Sequence, residues 1–256
     1  MPAERLQLPG ARIGYQTDPG VVRAENQDSL FVPEPQADVA GRGILVAVAD
    51  GMGGRAGGAL ASRITVEALA GFYKEPMTGL PPDLMVLHLV ENAHAALNKL
   101  SAQKEQLRGM GTTFTGILIV NGGYEVFHVG DSRAYLWRSG VLEQLTSDHT
   151  LAAKWEAQGK VALGSRARSV LTRALGAGTP LEIDRATREA MPGDRLLLCS
   201  DGLHGVLTKT QISDLLGVST TPWEAAGKAI TLTRDGGAPD NVTAVVVSVD
   251  WATAAS

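Results

Sequence analysis

The amino-acid sequence predicts an α+β domain in which antiparallel β-sheets and helices pack in layers. Two patterns in the 256 residues indicate this fold class. Short apolar strands crowd together over 112–145, with hairpin-type turns at Asn121-Gly122 and Ser139-Gly140. A strand, two helices and a strand also occur twice, at 44–120 and at 194–249. Periodicity by itself does not determine how these layers stack.

The first half of the chain alternates between strands and helices. Short strands are predicted at 11–18 and 29–33, and a nearly continuous apolar strand at 43–49. A helix is predicted over about 57–73, and one of its faces carries Ala61, Ile64, Ala68, Leu69 and Phe72. After a proline-containing connection, a longer helix is predicted over about 83–105, with an apolar stripe of Val86, Val90, Ala93, Leu97 and Leu100.

The second half contains most of the strands and one irregular segment. Strands are predicted at 112–120, 124–129, 133–138 and 141–145. The stretch from Asp148 to Thr179 breaks this pattern and is predicted to be an insertion over one end of the domain, beginning with a short helix over about 149–158. The remaining predicted elements are a strand at 194–199, helices at about 209–216 and 222–234, and a strand at 242–249.

The composition indicates an ordinary globular protein. Apolar residues make up 44% of the chain and the formal net charge is −4, with both signs interspersed, so we expect no nucleic acid partner. No apolar stretch approaches the ~18 residues that span a bilayer. The start of the chain does not resemble a signal peptide, and the single cysteine, Cys199, cannot form an internal disulfide. We therefore expect a cytoplasmic protein without a membrane segment.

Acidic residues stand at the ends of several predicted core strands. Asp50 follows an apolar run and begins Asp50-Gly51-Met52-Gly53-Gly54; Asp131 and Asp201 follow two other runs, and Asp240 precedes the last strand. A lone Asp-Gly is usually a turn. Several converging carboxylates would repel each other unless a cation neutralised them, and an oxygen-only ligand set favours Mg²⁺ or Mn²⁺. The five histidines show no metal-binding spacing; they are His88, His94, His128, His149 and His204.

Three further segments have both a functional and a plain interpretation. In 23–29, Arg23 offers a planar fork that suits a phosphate, although the segment could equally be a surface loop. The glycine-rich run 51–58 lacks the ending of a nucleotide-binding loop, so it is expected to present a backbone carbonyl to a metal and to start a helix. The basic side chains in or beside the insertion either form a solvated face or contact an acidic or phosphorylated substrate; they are Arg166, Arg168 and Arg173.

Eight segments resemble, in order, the motifs of the metal-dependent protein phosphatases of type 2C, the PPM family, in their bacterial form. They cover residues from about 11 to 250 and are Arg23…Asn26-Gln27-Asp28-Ser29, Ala49-Asp50-Gly51-Met52-Gly53-Gly54, Gly109-Met110-Gly111-Thr112-Thr113, Gly130-Asp131-Ser132-Arg133-Ala134-Tyr135, Leu145-Thr146-Ser147-Asp148-His149, Thr172-Arg173-Ala174-Leu175-Gly176, Pro192-Gly193-Asp194…Cys199-Ser200-Asp201-Gly202-Leu203 and Pro239-Asp240-Asn241-Val242-Thr243. One such segment would be weak support, whereas eight in order are very specific.

The resemblance implies a fold and a set of site residues. The fold is a four-layer sandwich of two antiparallel sheets with a helix pair outside each, a flap at about 149–179, and a single domain over 1–256. By resemblance, Asp50 bridges two Mn²⁺ or Mg²⁺ ions and the carbonyl of Gly51 binds one of them. Asp201 and Asp240 hold the first ion, Asp28 orients the second through water, Asp131 with Asp201 forms a third site, and Arg23 binds the substrate phosphate.

The resemblance also implies an activity, namely metal-dependent hydrolysis of phosphoserine and phosphothreonine in proteins by a monomer that opposes a bacterial Ser/Thr protein kinase. Arg166 and Arg168 are expected to steer phosphoprotein substrates. Two other functions remain open at this point: a pseudophosphatase that docks on a phosphorylated partner, and a phosphoesterase for small molecules. Pseudophosphatases usually lack ligand acids, and none is missing from this sequence.

Two positions depart from the pattern of many family members. Met52 stands where many eukaryotic members have a histidine that is proposed as a general acid, and a methionine cannot donate a proton. Gln27 stands where many have a glutamate, which lowers the negative charge beside the second ion. The bacterial form tolerates both changes, so neither is interpreted as inactivation.

Overall fold

The computed structural model describes residues 2–74, 79–120, 122–160, 166–178 and 180–250. Its strands are β1 (Glu4–Leu8), β2 (Ala11–Asp18), β3 (Asp28–Phe31), β4 (Ile44–Met52), β5 (Gly111–Thr112), β6 (Phe114–Val120), β7 (Gly123–Val129), β8 (Arg133–Arg138), β9 (Val141–Gln144), β10 (Asp184–Glu189), β11 (Arg195–Cys199) and β12 (Val242–Val249). Its helices are α1 (Val39–Arg42), α2 (Gly54–Leu69), α3 (Gly71–Lys74), α4 (Pro82–Gln103), α5 (Leu151–Ala157), α6 (Arg166–Ser169), α7 (Asp201–His204), α8 (Lys209–Val218) and α9 (Pro222–Asp235).

The strands form two antiparallel sheets. The first has the order β1-β2-β12-β11-β8-β9 and the second has the order β10-β7-β6-β4-β3, with β5 paired to the end of β4. The strand that ends the chain, β12, thus pairs with β2 near its beginning. This long-range pairing brings residues that are remote in sequence to the same end of the sandwich.

The two sheets pack face to face through alternate residues of each central strand. In β4, Ile44, Val46 and Val48 belong to the core between the sheets, whereas Leu45 and Ala47 face the helices. The same alternation runs through β12, because Val245 and Val247 face the other sheet. Both faces of these strands are buried, which explains why their sequences are almost continuously apolar.

A helix pair covers the outer face of each sheet. Helices α2 and α4 pack on the second sheet through residues such as Leu69, Val90 and Leu97. Helices α8 and α9 pack on the first sheet through Leu216 and Ile230. The layers are therefore helix, sheet, sheet and helix, which confirms the predicted α+β sandwich.

Most predicted elements occur near their predicted positions, with two instructive differences in this part of the chain. The helix predicted over 57–73 is divided into α2 and α3 at Ala70. The strand predicted to end at residue 49 continues to Met52, because Gly51 and Met52 pair with Thr112 and Gly111 of β5. Asp50 therefore lies within a strand rather than in a turn after one.

Two strands were not predicted, β1 and β10. Both lie at sheet edges, and β10 pairs with β7 on one side only. Its sequence, Asp-Arg-Ala-Thr-Arg-Glu, is mostly exposed and lacks an apolar alternation. An edge strand can be this polar because charged side chains protect its open side from pairing with other chains.

The predicted insertion begins after β9 and contains α5 and α6. Its two ends are joined by a bridge between Thr150 and Leu171, with Leu151 N–H donating to the carbonyl of Val170 at 2.8 Å. No helix of the described ranges is both long and apolar enough to cross a membrane.

Candidate active site

Asp50 is placed by hydrogen bonds to the β5–β6 segment. Its carbonyl accepts from the backbone N–H of Thr113 at 2.9 Å and from the hydroxyl of Thr112 at 2.8 Å. Its own N–H donates to the hydroxyl of Thr113 at 2.9 Å. These contacts hold the main chain of Asp50 from one side, so that its carboxylate keeps a defined direction.

Asp28 lies directly opposite Asp50, since the two residues are register partners in the antiparallel pair of β3 and β4. Side chains of such partners stand on the same face of a sheet with Cβ atoms about 5 Å apart, and like charges there repel. Burial, followed by the charges of Asp28 and Asp201, raises the pKa of Asp50 well above its ordinary value.

The two carboxylate oxygens of Asp28 have different surroundings. Oδ2 accepts from the hydroxyls of Ser200 and Thr243, each at 2.7 Å. Oδ1 is buried and has no hydrogen-bond partner among the described residues. Burial raises the pKa of Asp28 to about 7, although the two hydroxyl donors oppose this shift. A buried carboxylate oxygen without a donor fits a hydrated cation, which would satisfy it.

Two more acids complete the cluster. Asp131 follows Gly130, whose φ of +111° makes the turn after β7, and Asp201 is the first residue of α7. Burial and the neighbouring charge of Asp201 raise the pKa of Asp131 to about 7. Burial and the charge of Asp240 raise that of Asp201. With Asp240 before β12, the sheet ends therefore bring together carboxylates from five separate segments.

The cluster opens into a cavity of about 1260 Å³. The acids and the cation at its wall are Arg23, Glu25, Asp50, Asp131, Asp201 and Asp240. Its other described lining residues, which do not include a histidine, are Val22, Ala24, Gln27, Gly51, Met52, Gly53, Thr113, Ser169, Leu171, Pro239 and Asn241. Asp28 is buried, and the charges of Asp201 and Asp240 act on it.

Arg23 contacts a predicted metal ligand. Its Nη2 donates to Asp240 Oδ2 at 2.7 Å, while 54% of the Arg23 side chain remains exposed. The hydrogen bond to Asp240 raises the pKa of Arg23 further. No three acidic, histidine or cysteine side chains of the described ranges converge closely enough to ligate one ion directly. Ion binding by these acids therefore needs water or carbonyl oxygens as well, or the release of Asp240 by Arg23.

Asn241 belongs to one of the eight matched segments, but its role in the site was not predicted from the sequence. Its side-chain NH₂ donates to the carbonyls of Pro19 and Glu25 at 3.0 and 2.9 Å, and its side-chain oxygen accepts from Gln27 N–H at 2.9 Å. The loop that carries Arg23 is thus hydrogen-bonded to a single side chain, that of the residue which follows Asp240. Ser200, Thr113 and Thr243 were missed in the same way; buried hydroxyls in or beside apolar strands were the available signal.

The glycines after Asp50 have a packing role. A Cβ on Gly51 would lie 2.1 Å from the carbonyl oxygen of Gly58, and one on Gly58 would lie 2.7 Å from the carbonyl oxygen of Gly51. The end of β4 and the first turns of α2 therefore touch through their backbones. Gly53, with φ of +114°, makes the turn between them.

The basic residues of the insertion differ in what the structure describes. Arg173 pairs with Glu182 at 2.9 Å and with Asp184 at 2.7 Å, so its guanidinium is engaged within the protein. The side chains of Arg166 and Arg168, predicted to contact substrate, lie outside the described part of the chain.

Residues 22–233 match the protein phosphatase 2C family. The chain belongs to this family. A match of this length includes Arg23, Asp28, Asp50, Asp131 and Asp201, whereas Asp240 lies just beyond it.

Bacterial members of the protein phosphatase 2C family are similar to this chain over most of its length. The serine/threonine protein phosphatase PstP of Mycobacterium tuberculosis strain H37Rv is 39% identical over 245 residues, which cover 93% of this chain and 45% of PstP. The chain thus spans about half the length of that relative. The serine/threonine phosphatase stp of Listeria monocytogenes serotype 4b is 32% identical over 243 residues, covering 92% of this chain and 95% of stp.

Solved structures of protein phosphatase 2C relatives share the fold. The M. tuberculosis serine/threonine phosphatase PstP/Ppp gives a TM-score of 0.82 at 35% identity, covering 94% of this chain and 99% of that one. The catalytic domain of PstP in complex with two manganese ions gives 0.81 at 35% identity and the same coverage. The S. agalactiae serine/threonine phosphatase gives 0.85 at 30% identity, covering 94% and 100%.

Proposed function

We propose that this chain hydrolyses phosphoserine and phosphothreonine in proteins with the help of bound Mn²⁺ or Mg²⁺. The observation that carries this proposal is the single cavity in which Arg23 stands beside Asp50, Asp131, Asp201 and Asp240. The membership of this chain in the protein phosphatase 2C family supports the same activity. The cavity combines a donor fork for phosphate oxygens with an all-oxygen set of anionic ligands.

Each acid of the cluster would bind one or more of the ions. Asp50 would bridge two ions, with the carbonyl of Gly51 on one of them and Asp201 and Asp240 on the first. Asp28 would act on the second through water, which is consistent with its unpartnered Oδ1. Asp131 and Asp201 would form a third site. When bound, such ions lower the pKa of a water molecule and neutralise charge on the phosphoryl group.

The chain's own residues bind and orient the substrate. Arg23, anchored at Asp240 and half exposed to the cavity, would donate to the phosphate oxygens. Met52 lines the cavity but cannot protonate the leaving oxygen. We therefore infer that no side chain of the Asp50-to-Gly54 segment supplies that proton, which comes from water or from another residue of the cavity.

Substrate steering by Arg166 and Arg168 remains part of the proposal, because α6 lies in the insertion whose Ser169 and Leu171 line the cavity. Replacement of both arginines by alanine is expected to lower phosphoprotein turnover more than p-nitrophenyl phosphate turnover. An equal effect on the two substrates would contradict this role.

The proposed partners are phosphorylated proteins, in particular those modified by a bacterial Ser/Thr protein kinase, and the proposed state is a cytoplasmic monomer. The buried free thiol of Cys199 is compatible with a reducing compartment, and burial raises the pKa of that thiol to about 12, so it is unreactive. Gel filtration with light scattering tests the monomer directly.

The activity is tested with purified protein, Mn²⁺, a phosphothreonine peptide and p-nitrophenyl phosphate. We expect hydrolysis of both by the parent and by Asp214→Asn, a surface control, and loss of hydrolysis in Asp50→Ala. Failure of the parent on both substrates, or full activity of Asp50→Ala, would overturn the proposal. A strong preference for small esters over phosphopeptides would indicate a small-molecule phosphoesterase instead.

A further inference from the structure

The turn that carries Asp131 is held by an imidazole. The Nδ1 atom of His149 accepts from the backbone N–H of Gly130 at 3.1 Å, and the backbone N–H of His149 donates to the carbonyl of Gly130 at 2.7 Å. Gly130 has φ of +111°, and a Cβ there would lie 2.6 Å from Thr113. The residue before Asp131 thus depends on His149 for both of its main-chain hydrogen bonds.

The second nitrogen of this ring faces an acid. His149 Nε2 lies 3.1 Å from Asp184 Oδ2 on β10. Because Nδ1 accepts a hydrogen bond, the neutral ring carries its hydrogen on Nε2 and donates it to Asp184. Arg173 also donates to Asp184, at 2.7 Å, and so holds the acid in place. Arg173 Nη1 also lies 3.2 Å from His149 Nε2, but a guanidinium can only donate, so Asp184 is the acceptor for the Nε2 hydrogen in the tautomer that accepts from Gly130.

His149 also stands at the base of the insertion. Its carbonyl accepts from Thr172 N–H at 2.8 Å, across the bridge that joins the two ends of the segment. Its ring packs against that of His128, with centroids 4.7 Å apart, and 8% of the His149 side chain is exposed. One buried residue thus contacts the insertion, β10 and the turn before Asp131.

We propose that His149 is a positioning residue that couples the base of the 149–179 insertion to the placement of Asp131, and that it thereby sets the affinity of the ion site to which Asp131 belongs. This inference rests on the proposed function, because it assumes that Asp131 binds an ion. A side chain that orients a metal ligand typically changes metal affinity by about 10- to 100-fold when it is removed.

Two amide substitutions separate the contacts of His149. In His149→Asn the side-chain oxygen takes the place of Nδ1, so it keeps the bond from Gly130 N–H and loses Asp184. In His149→Gln the amide nitrogen reaches the place of Nε2, so it keeps Asp184 and loses Gly130. Asparagine is therefore the conservative variant and glutamine the disruptive one.

His94 offers a matched control. Its Nδ1 accepts from the N–H of Gly176 at 3.1 Å and its Nε2 contacts Asn98 at 2.8 Å, so it makes the same kind of contact at the other end of the insertion. No hydrogen bond to the Gly130–Asp131 turn is recorded for His94 among the described residues. His94→Gln therefore reports the effect of losing such a contact without moving Asp131.

The experiment is a calorimetric Mn²⁺ titration of the folded parent and variants, together with the Mn²⁺ dependence of p-nitrophenyl phosphate turnover. We expect His149→Gln to weaken the Mn²⁺ site that Asp131→Ala removes by about 10-fold or more, with a smaller change in kcat at saturating Mn²⁺. His149→Asn and His94→Gln are expected to stay within about threefold of the parent. Asp131→Ala identifies the affected site because it removes that site.

The proposal is overturned if His149→Gln binds Mn²⁺ like the parent, or if His94→Gln loses the same affinity. In either case, retained Mn²⁺-dependent hydrolysis by the parent shows that the proposed function stands. Absence of Mn²⁺ binding in the parent overturns both. Should His149→Gln not fold, His149→Ala compared with His149→Asn provides the test: a severalfold weaker site in the alanine variant supports the proposal, and equal affinity of the two variants contradicts it.

Discussion

Asp28 and Asp50 stand opposite each other in register on adjacent antiparallel strands. Two acids in this position repel, and the fold accepts the repulsion because the β3–β4 pair is held elsewhere by apolar residues such as Val48. Functional sites commonly retain such unfavourable contacts at the expense of stability. The pair therefore indicates a place that a cation stabilises, and it leads to the first prediction.

Asp50→Asn is expected to abolish phosphatase activity and to stabilise the metal-free protein by about 1 kcal/mol, because an amide, unlike the acid, neither repels Asp28 nor has to take up a proton on folding. Urea unfolding in the presence of EDTA measures this change. Asp214→Asn, on an exposed helix position, is expected to stay within about 0.5 kcal/mol of the parent. A less stable Asp50→Asn protein would show that the facing carboxylates do not repel in the folded state.

Arg23→Ala is expected to raise KM for a phosphothreonine peptide by about 10-fold or more, since charged hydrogen bonds to phosphate oxygens contribute roughly 1.5–3 kcal/mol. The KM of Arg23→Lys should lie between those of the parent and Arg23→Ala, because lysine keeps the charge and loses the planar fork. Arg12→Ala is the matched control: Arg12 also pairs with an aspartate, Asp250, at 2.6 Å. Equal KM values for Arg23→Ala and Arg12→Ala would remove Arg23 from the substrate site.

Thr243→Val removes one of the two hydroxyl donors to Asp28 Oδ2. Such donors favour the ionised acid, so their loss raises the pKa of Asp28 further above its ordinary range. Mn²⁺ affinity at pH 7 is expected to fall roughly fivefold and to recover at higher pH. Thr233→Val, which removes a buried hydroxyl bonded to Ala229 at 2.8 Å, should leave Mn²⁺ binding unchanged. A pH-independent loss would contradict this account.

His128 provides a pH-dependent contribution to stability. Burial, together with the neighbouring His149, lowers the pKa of His128 from 6.5 to about 4. The folded state therefore binds fewer protons than the unfolded state between these values. The stability that this difference provides is fully present above pH 6.5 and is lost as the pH falls towards 4. At pH 5 the loss amounts to about 2 kcal/mol.

The measurement is the difference in unfolding free energy between the parent and His128→Gln at pH 7.5 and pH 5. We expect the parent's advantage to shrink by about 2 kcal/mol on acidification. Asp28 and Asp131 have raised pKa values of about 7, which favour the metal-free fold at low pH. Because both acids are present in the parent and in the variant, their effects cancel in the difference in unfolding free energy. The other charges near His128 are Asp148 and Asp184, which are also common to both. An advantage that does not depend on pH would show that His128 titrates normally.

Much of the fold could be predicted because burial leaves a local pattern. The apolar runs of β4 and β12 mark strands wherever they pair, and the stripe of α4 marks a helix. The polar strand β10 could not be predicted, because its place at a sheet edge depends on β7, which lies far from it in the chain. Asp50 was predicted after a strand, yet β5 extends that strand past it.

The sequence by itself determined which side chains are proposed to carry the chemistry. The acids Asp28, Asp50, Asp131, Asp201 and Asp240 and the cation Arg23 are residue types that suit a hard ion and a phosphate. Only the tertiary structure decided which of these residues contact each other. Arg23 meets Asp240 across 217 positions, and Asp28 accepts from Ser200 across 172. Such partners are chosen by strand pairing and sheet packing, whose hydrogen bonds and buried surface join segments that carry no local record of each other.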